Sequence, residues 1–370
     1  MGYKVVRVST GNQLKDFIDL PFGIYRNDDN WVAPLRSELK RTIDSARNPY
    51  FREPSIELFN CYDGDNIVSR ISVSVNDEYC RKAGVRTGFF GFFESFNNSA
   101  AVKFLFDEII IHCRENGIER LEGPFNPNLY SELALLSTDY NSPPSFFQTY
   151  NPEYYHSLLK DNGFSVLQIL HTRINKDSRG YFNEKFSKPL DLESDDIRVR
   201  SFRKNYTKQD LEHLRNIYND AFSENWHFTP VSKEEYMFAS KHLKLVTPPD
   251  LIRFVEYKGE PVAAVHFALD INPLLKRFKG RAGIMNYLRF LNERKKIDRA
   301  TLFAVGAKKE FQNSRIIRLL FNATVEVARR FEILETTWMY DENRIVISLA
   351  EKLGLKRDKE FLVYYRDVAV

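Results

Sequence analysis

The chain has 370 residues, a length that suits about two ordinary domains. Hydrophobic residues make up 43% of the sequence and aromatic residues 14%, which supplies buried cores and excludes disorder of the whole chain. The net charge of +4 is too small to indicate nucleic acid, and the three cysteines follow no CxxC spacing, which suits a reducing cytosol.

Neither a signal segment nor a membrane span is indicated. The N-terminal stretch MGYKVVRVST has no apolar region, and no uncharged apolar run reaches the roughly 18 residues that a span needs. We therefore expect a cytoplasmic protein, soluble or lying peripherally on the inner membrane.

The first half of the sequence predicts strands and helices in alternation. A DGDN turn with Gly64 separates two β-patterned runs, which is a hairpin signature. The helix that follows has apolar residues at helical spacing and stops at a glycine. In chain order the predicted elements are a hairpin (56–75), a strand (88–94), a helix (98–117), a strand (118–125), a short helix ending at Gly163 and a β-rich run (165–175).

The second half repeats this order, with a KGEP turn at Gly259 and with Glu335 in the place of Glu122. Its elements are a hairpin (251–269), a strand (299–307), a helix (314–332), a strand (333–340), a short helix ending at Gly354 and a β-rich run (360–368). The sequence therefore predicts two tandem mixed α/β domains. The predicted limits are 1–175 for the first domain, 176–196 for a polar linker, and 197–370 for the second domain with a basic insertion at about 273–296.

This order of elements resembles the GNAT acyltransferase fold in tandem. Over most of the chain the segments FFGFFE, GPFNPN, YNPEYYHSLLKDNGF, IYNDAFSENWHFTP, ALDIN and ETTWMYDEN resemble a bacterial tandem-GNAT family, one branch of which is the bacterial ceramide synthases. The resemblance implies an N-acyltransferase that moves a long-chain acyl group from a thioester to an amine, for example a sphingoid base. It also implies that the second domain holds the thioester, and that the first is a degenerate copy that shapes the acceptor side.

The resemblance also places the acyl donor. In the GNAT fold the fourth and fifth strands diverge, the pantetheine arm binds in the gap, and the pyrophosphate lies at the N-terminus of the next helix. The donor-site residues so implied are Val305, Gly306, Gln312, Asn313, Ser314, Arg315 and Asn343, the last of which can also cap the next helix.

Two departures from the GNAT pattern leave the donor open. Arg315 stands where the phosphate loop normally has glycine, and Ala350 stands where many of these enzymes have a tyrosine acid. Lys308, Lys309 and Arg315 could supply positive charge to acyl-CoA. Alternatively the donor is an acyl carrier protein, whose phosphopantetheine has one phosphate, or the loop binds nothing. We expect no tightly bound cofactor.

Amide formation needs a proton acceptor and a group that stabilises the oxyanion. Glu335 is the candidate base, with pairing to a nearby cation as the alternative. His266 alternates with apolar residues and has an ordinary pKa suited to proton transfer, although a core histidine fits the same pattern. Asp270 follows that strand and reaches a cleft or forms a turn. The oxyanion donor is expected at a backbone bulge near Val305–Gly306.

The acceptor pocket is predicted from polar and aromatic residues near helix and strand ends. The candidates are Asn219, Trp226, Asn272 and Trp338. Asn219 and Trp226 fit a helix end packed on its core equally well. The seven histidines show no metal-ligand spacing, so we expect no metal.

The segment 272–299 carries nine cationic side chains against two carboxylates, interleaved with apolar residues. Such a stretch is typical of a helix on an anionic bilayer, and it would also suit an acidic carrier protein. A solvated surface helix is the third interpretation. We expect no DNA partner.

Two other functions remain open at this point. One is an aminoacyl-tRNA-dependent transferase of the FemABX type, which is also built from GNAT-like halves. The other is a non-catalytic protein that binds acyl lipid or CoA.

Overall fold

The computed structural model of the protein forms two compact units. Unit 1 comprises Met1–Leu170, Pro273–Tyr287 and Lys359–Val370, and unit 2 comprises His171–Asn272 and Leu288–Asp358. The structure describes residues 2–51, 56–127, 132–186, 194–203, 205, 207–312 and 315–368, without the side chains of 242 and 244.

The first part of the chain supplies a sheet with helices packed on it. Strands run in the order β1-β2-β3-β4-β5, antiparallel except for β4 and β5, which are parallel. The elements are β1 (Tyr3–Arg7), α1 (Gly11–Ile24), α2 (Arg36–Ile43), a 3-10 turn (Pro49–Phe51), β2 (Ile56–Asp63), β3 (Asn66–Val75), α3 (Asp77–Ala83), β4 (Thr87–Ser95), α4 (Ser99–Glu115), β5 (Arg120–Gly123), β6 (Phe125–Asn126), β7 (Glu132–Leu133), β8 (Leu135–Leu136) and α5 (Tyr155–Asp161).

The rest of the chain repeats this plan, with strand order β9-β14-β13-β12-β11-β10 and with β13 and β14 parallel. The elements are β9 (Ser165–Asn175), α6 (Ser178–Lys185), β10 (Ile197–Ser201), α7 (Lys208–Ala221), α8 (Lys233–Ala239), α9 (Leu243–Val246), β11 (Ile252–Tyr257), β12 (Glu260–Leu269), α10 (Asn272–Phe278), α11 (Ile284–Glu293), β13 (Arg299–Ala307), α12 (Arg315–Ala328), β14 (Ile333–Thr336), α13 (Arg344–Lys352) and β15 (Lys356–Asp367), with 3-10 turns at Ser240–His242, Pro249–Leu251, Arg294–Lys296 and Lys309–Phe311.

Local sequence explains why these elements form where they do. Asn98 caps α4 by accepting from the backbone N–H of Ala101, and the apolar stripe of that helix is buried in the core of unit 1. The two hairpin turns hold Gly64 at φ 60° and Gly259 at φ 83°, a backbone region in which glycine carries no steric penalty. Both hairpins are therefore confirmed at their predicted positions.

The two units exchange chain segments rather than following chain order. Within unit 1, β15 pairs antiparallel with β5, so that Asp367 lies opposite Arg120. Within unit 2, the end of β9 pairs antiparallel with β14, so that Asn175 lies opposite Leu334. The last strand of each repeated half therefore contributes to the sheet of the other half.

The same exchange changes the predicted domain limits. Residues 273–287, predicted as part of an insertion in the second domain, group with unit 1. The predicted linker 176–196 begins as helix α6, whose buried Phe182 and Ser178 pack within unit 2, and residues 187–193 lie outside the described part. Among the described residues, no helix is both long enough and apolar enough to cross a bilayer.

Candidate active site

The paired part of β13 and β14 is short. Their parallel ladder ends where Leu302 lies opposite Thr336, whereas β13 continues to Ala307 and stays paired with β12 on its other side. Val305 and Gly306 lie in this continuing part and are half-buried. The ladder between the two strands therefore ends before Val305 and Gly306, which leaves a gap in the pairing where the sequence interpretation put the thioester.

The bulge beside this gap lies upstream of its predicted place. The register between β12 and β13 shifts after His266, which makes Phe303 the extra residue on β13, while Val305 and Gly306 are in regular register. Gly306 has a different role, because a Cβ atom there would lie 2.9 Å from the Cβ of Ala221. This glycine lets α7 approach the strand closely.

The loop predicted to hold phosphate is already bonded to carboxylates. The backbone N–H of Lys309 donates to Asp220 Oδ2 at 2.6 Å, and its ammonium lies 2.6 Å from Glu224 Oε1. The Gln312 amide donates to the carbonyl of Ala307 at 3.3 Å. A pyrophosphate here would have to displace two negative charges, which disfavours the usual mode of binding CoA.

Four other residues were predicted to contact the donor, and the structure describes two of them. Arg315 is exposed at the first position of α12. Asn313 and Ser314 lie outside the described residues. Asn343 caps α13 by accepting from the N–H of Val346 at 3.3 Å, so its predicted capping role is confirmed.

Three charged side chains meet around Arg299 in unit 2, at the end of the β13–β14 ladder where its pairing begins. Arg299 pairs with Asp270, with 3.2 Å between Nε and Oδ2, and its Nη2 contacts Glu335 Oε1. The carboxylates are almost completely buried, with side-chain exposures of 4% and 2%, while Arg299 is 32% exposed. Asp270 also accepts from the backbone N–H of Asn272 at 3.1 Å. The structure thus brings two predicted catalytic residues, Asp270 and Glu335, together on one arginine.

Sequence reasoning counted Arg299 only among the cations of the insertion. Its place at the first residue of β13, directly opposite Ile333 of β14, puts it two residues along the ladder from Glu335. The alternative reading of Glu335, a carboxylate paired with a nearby cation, is therefore what the structure shows. Such pairing holds the carboxylate in position.

His266 differs from the prediction in its acidity. Its side chain is buried, its Nε2 lies 3.0 Å from the Thr247 hydroxyl, and its ring centroid lies 4.9 Å from that of Phe303. Burial lowers the pKa of His266 to about 3. The imidazole is therefore neutral at physiological pH and is a weak base, so the prediction that its pKa suits proton transfer is wrong.

Two buried polar atoms lie on the face of the sheet that carries this histidine. Thr301 lies opposite Ala268, two residues beyond His266, so both side chains share one face. The Nδ1 of His266 and the hydroxyl of Thr301 have no hydrogen-bond partner within the described chain. Buried polar groups are normally satisfied, so this face is a candidate wall for a polar part of a substrate. Thr301 was not singled out from sequence, although a hydroxyl amid apolar strand residues is the signal that marks it.

The four predicted acceptor residues lie on separate segments: Asn219 in the last turn of α7, Trp226 in the loop after it, Asn272 at the start of α10 and Trp338 after β14. Asn219 uses both ends of its amide on the backbone of Val231, at 3.0 Å each, and so holds this loop closed. Trp226 stacks on His227 with 3.9 Å between ring centroids, and the backbone N–H of Trp226 donates to the Tyr340 hydroxyl at 3.3 Å. Trp338 is half-buried.

In unit 1 the corresponding gap is filled by the chain itself. β4 and β5 pair only as far as Phe89 opposite Glu122. Beyond that point Asn126 Oδ1 accepts from the N–H of Phe92 at 2.6 Å, and a Cβ on Gly91 would lie only 1.8 Å from the Phe125 carbonyl oxygen. The backbone amide of Phe92 is therefore already bonded and is not available to a thioester.

A buried polar network lies beside this filled gap. Tyr25 and Tyr155 donate to Glu94 Oε2 at 2.9 and 2.7 Å, and Arg70 lies 3.8 Å from the same carboxylate. Burial raises the pKa of Glu94, against the opposing effects of Arg70 and the two hydroxyls.

Among the residues that the structure covers, no three His, Cys, Asp or Glu side chains form a group that could hold a metal ion.

Comparison with known proteins adds full-length relatives. The sequence is 28% identical over 371 residues to the bacterial ceramide synthase of Caulobacter vibrioides (strain NA1000 / CB15N), covering 97% of this chain and 96% of that protein. It is 23% identical over 366 residues to protein YghO of Escherichia coli (strain K12), covering 96% and 93%. No protein-family model matches the sequence.

Among solved structures, a tandem GNAT protein from the clavulanic acid biosynthesis pathway aligns with a TM-score of 0.55 at 8% identity, covering 100% of this chain and 99% of that one. The identity is too low to carry function. The predicted fold, a mixed α/β tandem GNAT arrangement, is confirmed.

Proposed function

We propose that this chain, which belongs to the tandem GNAT-fold acyltransferase family that includes the bacterial ceramide synthases, is an N-acyltransferase that acylates a sphingoid-type long-chain amine. The observation that carries the acyl-transfer part is the end of the β13–β14 pairing before Val305 and Gly306. The sphingoid acceptor is supported by the name of the full-length relative from Caulobacter and by the basic insertion.

The proposed reaction forms one C–N bond and breaks one C–S bond. The neutral amine attacks the thioester carbonyl, the thiolate leaves, and the amine loses one proton. Glu335 accepts that proton directly or through a water molecule, held in place with Asp270 by Arg299. Ala350 offers no acid, but a thiol with a pKa of about 8.5 leaves as thiolate without one.

For the donor we propose an acyl thioester that makes no pyrophosphate contact with Lys309. Asp220 and Glu224 already satisfy this residue, as described above. An acyl carrier protein, whose phosphopantetheine has one phosphate, fits this electrostatic environment better than acyl-CoA bound in the usual GNAT manner. Acyl-CoA remains the alternative donor if its phosphates lie elsewhere.

A lipid amine must be collected from a bilayer, so the proposal includes peripheral contact with the anionic inner membrane through residues 273–299. Seven exposed cationic side chains between residues 276 and 296 support this contact. The proposed location is therefore the cytoplasmic side of that membrane.

The test is a product assay with purified protein. Long-chain acyl-CoA and acyl carrier protein are each offered with a panel of amines that includes sphinganine and amino acids, and amides are sought by mass spectrometry. We expect N-acylsphinganine, and a loss of about 100-fold or more in kcat for Glu335→Gln. Absence of product from every pair would indicate a non-catalytic lipid-binding protein. A product that requires charged tRNA and disappears with ribonuclease would indicate the FemABX type.

A further inference from the structure

Helix α11 turns its apolar stripe toward solvent. Ile284, Met285, Tyr287 and Leu288 are 80%, 77%, 51% and 55% exposed. Ile284, Tyr287 and Leu288 have the i, i+3, i+4 spacing that places side chains on one helical face. In an ordinary surface helix that face packs on the core, whereas here Phe290 is the buried side chain of the helix. We call these four residues the apolar tip.

The segment that carries the apolar tip is anchored rather than loose. Leu274 and Phe278 of α10 are buried. The turn after them holds Gly280 at φ 74°, and its carbonyl accepts from the N–H of Arg36 at 3.2 Å in unit 1. A Cβ on Gly280 would lie 2.5 Å from the ring of Phe22, so only glycine fits there. The exposure of the tip is therefore imposed by a packed turn.

Cationic side chains precede and follow the apolar tip along the chain. Glu293 is engaged by Arg289 at 3.6 Å. The Lys276 ammonium donates to the carbonyl of Asp29. The exposed cations of the surrounding segment are Lys276, Arg277, Lys279, Arg281, Arg289, Lys295 and Lys296.

We propose that the apolar tip inserts into the interface of an anionic phospholipid bilayer while the surrounding lysines and arginines contact the lipid phosphates. Charge complementarity selects this occupant, because cations around protruding aliphatic and aromatic side chains match anionic headgroups above acyl chains. The inference deepens the proposed function by locating where a lipid amine is collected. Membrane binding itself requires no turnover, so the two can fail separately.

The test is sedimentation of the full chain with phosphatidylcholine vesicles and with phosphatidylcholine–phosphatidylglycerol vesicles. We expect binding to the anionic vesicles and a partition coefficient at least about tenfold lower for the double variant Ile284→Asp, Leu288→Asp. Lys295→Gln and Lys296→Gln should each lower it about fivefold. The matched control is Ile345→Asp, which changes an 82% exposed isoleucine on α13 and should bind as the parent does.

Each other outcome overturns the inference. These are no binding of the parent to anionic vesicles, unchanged binding of the double variant, or an equal loss in the Ile345→Asp control. If the double variant keeps vesicle binding but loses binding to acyl carrier protein, the tip is a protein-docking surface instead. Vesicle binding in the expected pattern without any amide product would leave this inference standing and refute the proposed function.

Discussion

Replacing Arg299 by Met tests whether the three-residue cluster in unit 2 is held together by charge. Met keeps similar bulk but leaves Asp270 and Glu335 buried, at 4% and 2% side-chain exposure, without the cation that contacts both. Removing one partner of a buried ion pair typically costs about 3–5 kcal/mol, because the remaining charge loses compensation. Since whole domains are stable by only about 5–15 kcal/mol, unit 2 should unfold at clearly lower urea concentration.

The assay is urea unfolding followed by tryptophan fluorescence, in which Trp226 and Trp338 report on unit 2. The control is the triple variant Arg299→Met, Asp270→Asn, Glu335→Gln, which removes all three charges and should recover most of the lost stability. The reasoning is refuted if Arg299→Met loses less than about 1 kcal/mol, a cost typical of a surface pair. It is equally refuted if the triple variant is no more stable than the single one.

Three further predictions concern other parts of the molecule. Glu94→Leu leaves Arg70 buried without its carboxylate and should lower the free energy of unfolding of unit 1, measured in urea, by about 3–5 kcal/mol. Adding Arg70→Met should recover most of this loss, and equal stability of the single and double variants would contradict the prediction. Asp220→Asn with Glu224→Gln removes two carboxylates from Lys309 and should tighten CoA binding about tenfold by calorimetry, whereas an unchanged Kd would place the phosphates elsewhere. Burial lowers the pKa of His266 from 6.5 to about 3, so the unfolded chain binds a proton first and stability falls as pH drops through that range. His266→Leu should therefore flatten the dependence of the urea midpoint on pH between 7 and 5, and an unchanged slope would assign the dependence to other groups.

The regular elements were predictable because their signals are local. The hairpins at Gly64 and Gly259 and the helix capped at Asn98 depend on turn residues, caps and hydrophobic period within a few neighbours. The repeat of that order in both halves then indicated the tandem fold. No long-range information was needed.

The chemistry of the site was less predictable because it depends on strand register and burial. The contact between Arg299 and Glu335 follows from how β13 and β14 are aligned, and the bulge at Phe303 from how β12 and β13 are aligned. Neither alignment can be determined from one strand alone. The low pKa of His266 likewise results from burial, which the alternating pattern of its strand suggests but does not measure.

The two compact units differ from the predicted domain limits for a related reason. Both halves end in a β-rich run. The sequence of neither run determines which strand it will pair with. In the structure β15 pairs with β5 of the first half, and β9 pairs with β14 of the second half. Chain order was the natural assumption, and the structure does not follow it.

The pairing of Asp367 with Arg120, 247 residues apart, has a consequence for synthesis on the ribosome. Until translation reaches β15, strand β5 of the nascent first sheet has an unpaired edge. An unpaired edge is a template for wrong association, so this interval is the time at which a holding chaperone would matter most. A synonymous slow-codon cluster late in the message should therefore lower the yield of soluble protein more than the same cluster placed early.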